Sequence, residues 1–174
     1  MATLADQVLG AIYEEALSHA NPVLTIEMLK GNPALASLSD RELAAGITVL
    51  MDRGTLRRKR MAVTYESVAI EHRAMVHLLT ENYPGFGAMV RDVALSLRDA
   101  APDTGIAVGV DLSSDELAAR IGQSEFPVRY ALHFLNDQGS IKVSEAGTNR
   151  EFQKISGVQV WNSKLDAFIY DLGA

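Results

Sequence analysis

Leu135-Asn136-Asp137-Gln138-Gly139-Ser140-Ile141 closes a helical pattern at glycine and runs straight into a strand pattern, and Leu50-Met51-Asp52-Arg53-Gly54-Thr55-Leu56 does the same in the first half of the chain. Glycine just past the last apolar position of a helix is a stop signal, because it accepts the left-handed backbone that a helix end needs. Upstream of each glycine lies an amphipathic stretch. Ser39-Asp40-Arg41-Glu42 is a capping box that opens a helix with Leu43, Ile47, Leu50 and Met51 on its apolar stripe, and Ser124 to Gly139 turns Val128, Ala131, Leu132 and Leu135 inward.

Further upstream, Leu24-Thr25 and Leu112-Ser113 each open a short middle helix, stopped by Gly31-Asn32-Pro33 and by Gly122. Before these come two long helices. One is capped by Thr3 with Asp6 and carries Leu4, Val8, Ile12, Ala16 and Leu17; the other runs from Gly87 to Ala101 with Met89, Val90, Val93 and Leu97 buried. Downstream, Thr55 to Val68 reads as one hairpin. Ser140 to Glu145, the turn Ala146-Gly147-Thr148-Asn149 and Glu151 to Ile155 read as another. Ser67 is positioned to open a fourth helix that ends at Tyr83-Pro84-Gly85, and Asn162 or Ser163 to cap a last one with Leu165, Phe168, Ile169 and Leu172 on one side. Two units of helix, helix, helix and hairpin therefore fill the chain, residues 1–84 and 85–174, joined at Tyr83 to Gly87. The expected class is mostly α with small β-hairpins, α+β. A competing alignment of Leu38 to Ala45 with Leu112 to Ala119 pairs a third helix with a second one; shared capping chemistry accounts for it.

Composition narrows the chemistry. The 174 residues carry Lys+Arg 16 against Asp+Glu 22, a formal charge of -6, with 48% hydrophobic residues and no cysteine. A packed core is expected, while disulfides, thiolate metal sites and cysteine nucleophiles are excluded. Apolar stretches such as Ala74 to Leu79 fall far short of the ~20 residues a bilayer span needs, and Met1 to Asp6 lacks the basic and apolar run of a signal peptide. The expectation is a cytoplasmic protein without membrane contact.

The run Asp115-Glu116-Leu117-Ala118-Ala119, continuing through Arg129 to Leu135 and into Asn136-Asp137-Gln138-Gly139-Ser140-Ile141, resembles the winged-helix superfamily, and the resemblance extends over both halves. It implies two winged-helix domains in tandem, each a helix-turn-helix whose third helix commonly enters the DNA major groove while the hairpin, or wing, touches the backbone. The resemblance also implies a second use. Winged helices are often turned to binding proteins, and acidic tandem arrangements look like accessory subunits of chromosome-organising complexes or adaptors of membrane-sorting complexes.

For a DNA-binding regulator, Arg57-Arg58-Lys59-Arg60 at the expected tip of the first wing supplies phosphate contacts, and the second wing adds Lys142, Thr148, Asn149, Arg150 and Lys154. Arg129, Tyr130, His133 and Asn136 are expected on the outer face of the second recognition helix, where Arg, His and Asn can read base edges. The plain alternatives are a solvated hairpin edge and an ordinary polar helix face. Charge argues for the adaptor: residues 1–84 hold 8 cations and 10 anions, and residues 85–174 hold 8 and 12, without the basic excess of a strong nucleic-acid binder. Double-stranded DNA and a protein partner both stand as expected partners. Leu165, Phe168, Ile169 and Leu172 form a candidate homodimer seam.

Enzymatic chemistry has no support in the pattern. There is no nucleophile elbow, phosphate loop, zinc-protease helix motif or dinucleotide fingerprint. Pro84-Gly85-Phe86-Gly87 follows a helix and lacks a lysine, and His77 with Glu81 gives two ligands without a third. Glu14-Glu15 and Asp115-Glu116 are better explained by helix solubility and dipole complementation than by acid-base work. No catalytic residue, cofactor or metal is expected.

Overall fold

The computed structural model describes residues 3–62, 65–104, 106–146 and 154–173, which divide into two compact units, Met1–Leu78 and Leu79–Ala174. The division falls inside a helix, upstream of Tyr83 to Gly87. Among the described residues there are eight α-helices and two small antiparallel sheets, an α+β protein dominated by helix.

The first unit runs α1 (Leu4–Ser18), β1 (Val23–Thr25), α2 (Ile26–Gly31), a single 3-10 turn (Pro33–Leu35), α3 (Asp40–Asp52), β2 (Leu56–Ala62), β3 (Tyr65–Ile70) and the first part of α4 (His72–Asn82), the helix that the division cuts. The second repeats the order without the 3-10 turn: α5 (Phe86–Ala100), β4 (Val108–Val110), α6 (Ser114–Ile121), α7 (Glu125–Asp137), β5 (Ile141–Ala146), β6 (Lys154–Val160) and α8 (Asn162–Gly173). In both sheets the short first strand pairs antiparallel with the last, giving the orders β1-β3-β2 and β4-β6-β5.

Local chemistry explains the helix starts. Capping boxes close α1 at Thr3 with Asp6, α3 at Ser39 with Glu42, and α6 at Ser113 with Glu116; in each the hydroxyl accepts one orphan helix N–H and the carboxylate accepts the cap's own. Thr25 Oγ1 accepts the Met28 N–H at 3.2 Å and starts α2. The two glycine stops share one geometry. Gly54 and Gly139 have φ of +70° and +71°, and the next residues, Thr55 and Ser140, donate their N–H groups to Leu50 and Leu135 carbonyls at 2.9 and 3.0 Å. This six-residue closure satisfies a helix-end carbonyl and turns the chain into β2 or β5.

Three expectations change. Ser67 does not open a helix: it lies in β3, 1% exposed, and donates its hydroxyl to the Lys59 carbonyl at 2.6 Å across the hairpin, so α4 begins at His72. Leu24-Thr25 belongs first to a strand, Leu24 pairing with Val68, and β4 pairs likewise with β6. The returning strand of the second hairpin extends to Val160, which places Val158 and Val160 in β6. The core of the first unit contains Ile12, Leu24, Leu29 and Leu50; that of the second contains Leu97, Leu117, Leu132, Leu135, Ile155 and Leu165.

Candidate functional site

The basic run of the first unit is not at the hairpin tip. Arg57, Arg58, Lys59 and Arg60 all lie within β2, opposite Ala69, Val68, Ser67 and Glu66 of β3, because the strand continues to Ala62. Alternation along a strand divides them, with Arg57 and Lys59 on one face and Arg58 on the other. Arg57 Nε lies 3.2 Å from Glu71 Oε1. Lys59 is half-buried, and its ammonium pKa is pushed down, first by burial and then by the like charge of Arg57. Arg58 is exposed and makes no ion pair with a described residue.

Arg58 borders a cleft of about 160 Å³ formed by α2, α3 and the sheet. Its floor is apolar, with Ile26, Leu43, Ile47 and Val68, and Lys30 and Asp40 at its edge form an ion pair at 2.9 Å. The outer surface of α3 carries exposed Asp40, Arg41 and Glu42 in its first turn, then exposed Ala44, Ala45, Thr48 and Val49.

The second unit corrects the expected recognition surface. Arg129 and Tyr130 are 8% and 6% exposed and do not face outward. Arg129 Nε, which has no hydrogen-bond partner among the described residues, lies 3.8 Å from Glu125 Oε1, and its guanidinium sits 5.3 Å from the Phe126 ring centroid and 5.7 Å from that of Tyr130. Glu125 also accepts the Ser114 hydroxyl at 2.7 Å. Burial pushes the Tyr130 phenol up to about 12, with Arg129 pulling down and Glu125 adding to the rise. His133 is half-buried, its Nε2 3.7 Å from Glu145 Oε1. Asn136 Oδ1 accepts the Val143 N–H at 3.2 Å and fastens α7 to β5. Arg129 and Tyr130 are thus withdrawn from the surface, whereas His133 and Asn136 are half-buried and each contacts β5.

On the second hairpin, Lys142 is exposed, whereas Thr148, Asn149 and Arg150 lie outside the described residues, as do the side chains of Arg60, Lys154 and Leu172. The expected dimer seam is corrected at Leu165, which is fully buried and so belongs to the core. Phe168 packs edge-on against Phe134, ring centroids 6.3 Å apart; Ile169 is half-buried and Tyr170 is 77% exposed. Among the described residues, no cluster of three or more acidic or histidine side chains could hold a metal ion, and no helix is long and apolar enough to cross a membrane.

Compared with known proteins, the chain matches no family model, and no curated protein is detectably similar to it in sequence.

Proposed function

We propose that the protein is a non-enzymatic interaction module, two winged helices in tandem acting as an adaptor or subunit of a larger assembly. The shared order helix, strand, helix, helix, strand, strand, with the first strand added beside the last, supports the winged-helix reading of each unit. One observation supports the adaptor reading: Arg129 and Tyr130 of α7, expected to face bases, are buried, and the half-buried His133 and Asn136 each contact β5. In the first unit, Ala44, Ala45 and Val49 lie exposed on α3 beyond its first turn, apolar surface that suits a protein partner.

The test is a photoreactive amino acid at Val49, which is 40% exposed. Illumination in cells should give a discrete adduct that resists nuclease and disappears with protease; an adduct to nucleic acid would contradict the adaptor.

A second reading keeps a specific observation of its own. Exposed Arg58 and Lys142 sit on the two hairpins, and such cations can grip a DNA backbone without reading bases. It requires affinity that falls steeply with salt.

A further inference from the structure

We propose that two copies of the chain pair through the exposed face of α5, side by side and pointing the same way about a two-fold axis, with Arg91 of each copy against Asp92 of the other. This surface is separate from the α3 and α7 surfaces behind the adaptor reading, so either can hold without the other.

The inner face of α5 is already used, since Met89, Val90, Val93, Ala94 and Leu97 are buried in the second unit. On the opposite face Gly87, Ala88, Arg91, Asp92 and Leu95 are all exposed, and they line a shallow hollow of about 400 Å³. Leu95 is 38% exposed in a helix whose Leu97 is fully buried, so apolar surface is left to solvent. Gly87 and Ala88 remove bulk from the stripe. Among the described residues, a Cβ at Gly87 would meet nothing within 4 Å, so the unit's own packing does not require the gap. Residues this small let two helix axes approach toward the lower end of the usual ~8–10 Å.

Charge selects the occupant. At ~3.6 residues per turn, Ala88 and Leu95 fall on one line along the helix, with Arg91 about 50° to one side of it and Asp92 about 50° to the other. Neither charge has an ion pair among the described residues, whereas Arg98 of the same helix is held by Asp166 at 2.7 Å. A partner helix therefore has to bring an anion opposite Arg91, a cation opposite Asp92 and apolar residues between them. α5 of a second copy meets all three requirements. A two-fold axis along the helices sets the Arg91 side of one stripe against the Asp92 side of the other, giving two reciprocal ion pairs around Leu95 against Leu95 and Ala88 against Ala88. An antiparallel pair would set Arg91 against Arg91 and Asp92 against Asp92, contacts between like charges that disfavour it. Three turns of one helix bury well under the ~1,200 Å² of a stable interface, so the dimer is weak, with a dissociation constant on the order of 100 µM.

Sedimentation equilibrium of the full chain from micromolar to millimolar concentration should show a reversible monomer and dimer. Arg91→Asp and Asp92→Arg should each weaken association at least ten-fold, because each sets like charges across the axis. Mixed in equal amounts, the two variants should form a heterodimer at least as tight as the native dimer, one stripe now wholly acidic and the other wholly basic. Both residues are exposed, so circular dichroism should report native folds. The chain has no cysteine, which lets cross-linking read the sense of pairing: the Ala88→Cys chain should oxidise to a covalent dimer with itself. A native chain that stays monomeric at millimolar concentration, association that survives in both charge variants, or an Ala88→Cys chain that cross-links only to a Leu95→Cys chain overturns the assignment.

Discussion

Arg129 Nε and Glu125 Oε1 lie 3.8 Å apart, one helical turn from each other on α7, and both side chains are largely withdrawn from water. Removing one member of such a pair leaves the other desolvated without its counter-charge. Arg129→Ala should therefore lower the stability of the second unit by roughly 2–3 kcal/mol, somewhat below the range for fully buried pairs because Glu125 keeps partial solvent access. Arg129→Met combined with Glu125→Gln should recover most of the loss, since Gln still accepts the Ser114 hydroxyl and no charge is stranded. Urea unfolding followed through the midpoint checks both variants; a neutral Arg129→Ala would mean that the pair contributes nothing.

Gly54 and Gly139 offer a matched pair. Among the described residues, a Cβ at either position meets nothing within 4 Å, so a substitution tests the backbone. Gly54→Ala and Gly139→Ala should each cost about 1–2 kcal/mol, the left-handed penalty for an L-residue, measured by thermal or urea unfolding. Unequal costs would show that the two helix stops are not equivalent.

The capping carboxylates make stability fall in acid. Glu116 is held below the ordinary carboxylate range by the Ser113 backbone N–H and then its hydroxyl; Glu42 by the Ser39 hydroxyl and then its N–H; Asp6 by the Thr3 N–H and then its hydroxyl. A lowered folded-state pKa means stability that is present above the unfolded value, near 4, and is lost as pH falls through the lower folded value. Unfolding midpoints measured from pH 6 down to pH 2 should decline below about pH 4, and Glu116→Gln with Glu42→Gln should flatten that decline. An unchanged slope would assign acid sensitivity to other groups.

Phe168 touches Phe134 of its own unit. Phe168→Ala should destabilise by about 1–3 kcal/mol, less than a fully buried phenylalanine, without altering the sedimentation coefficient. A native dimer that dissociates on this substitution would restore α8 as a subunit seam.

Much of this architecture can be read from local chemistry because capping boxes and glycine stops act within a few residues. Thr3, Ser39, Ser113, Gly54 and Gly139 declare themselves by spacing alone. What depends on distant chain does not. β1 and β4 are three residues long, too short for a periodic signal, and are strands only because β3 and β6 pass beside them. Ser67 has the chemistry of a helix cap but spends its hydroxyl on the Lys59 carbonyl. Arg129 looks like a solvent-facing polar residue from its spacing, yet Glu125, Phe126 and Tyr130 enclose its charge. The cleft beside Arg58 needs α2, α3 and the sheet together, so neither helix nor strand pattern marks it.

Equilibrium binding of native chain and of the Arg57, Arg58, Lys59, Arg60→Ala form to random duplex DNA, titrated with salt, separates an adaptor from a DNA-binding regulator. For an adaptor, the native chain should show no saturable duplex binding from ~50 mM salt upward, and the four-alanine form should be indistinguishable from it. A native chain whose log affinity falls against log salt with a slope of about -0.9 for each phosphate contact, flattened by up to roughly 3–4 in the four-alanine form, would contradict the adaptor and establish the β2 cations as a DNA grip.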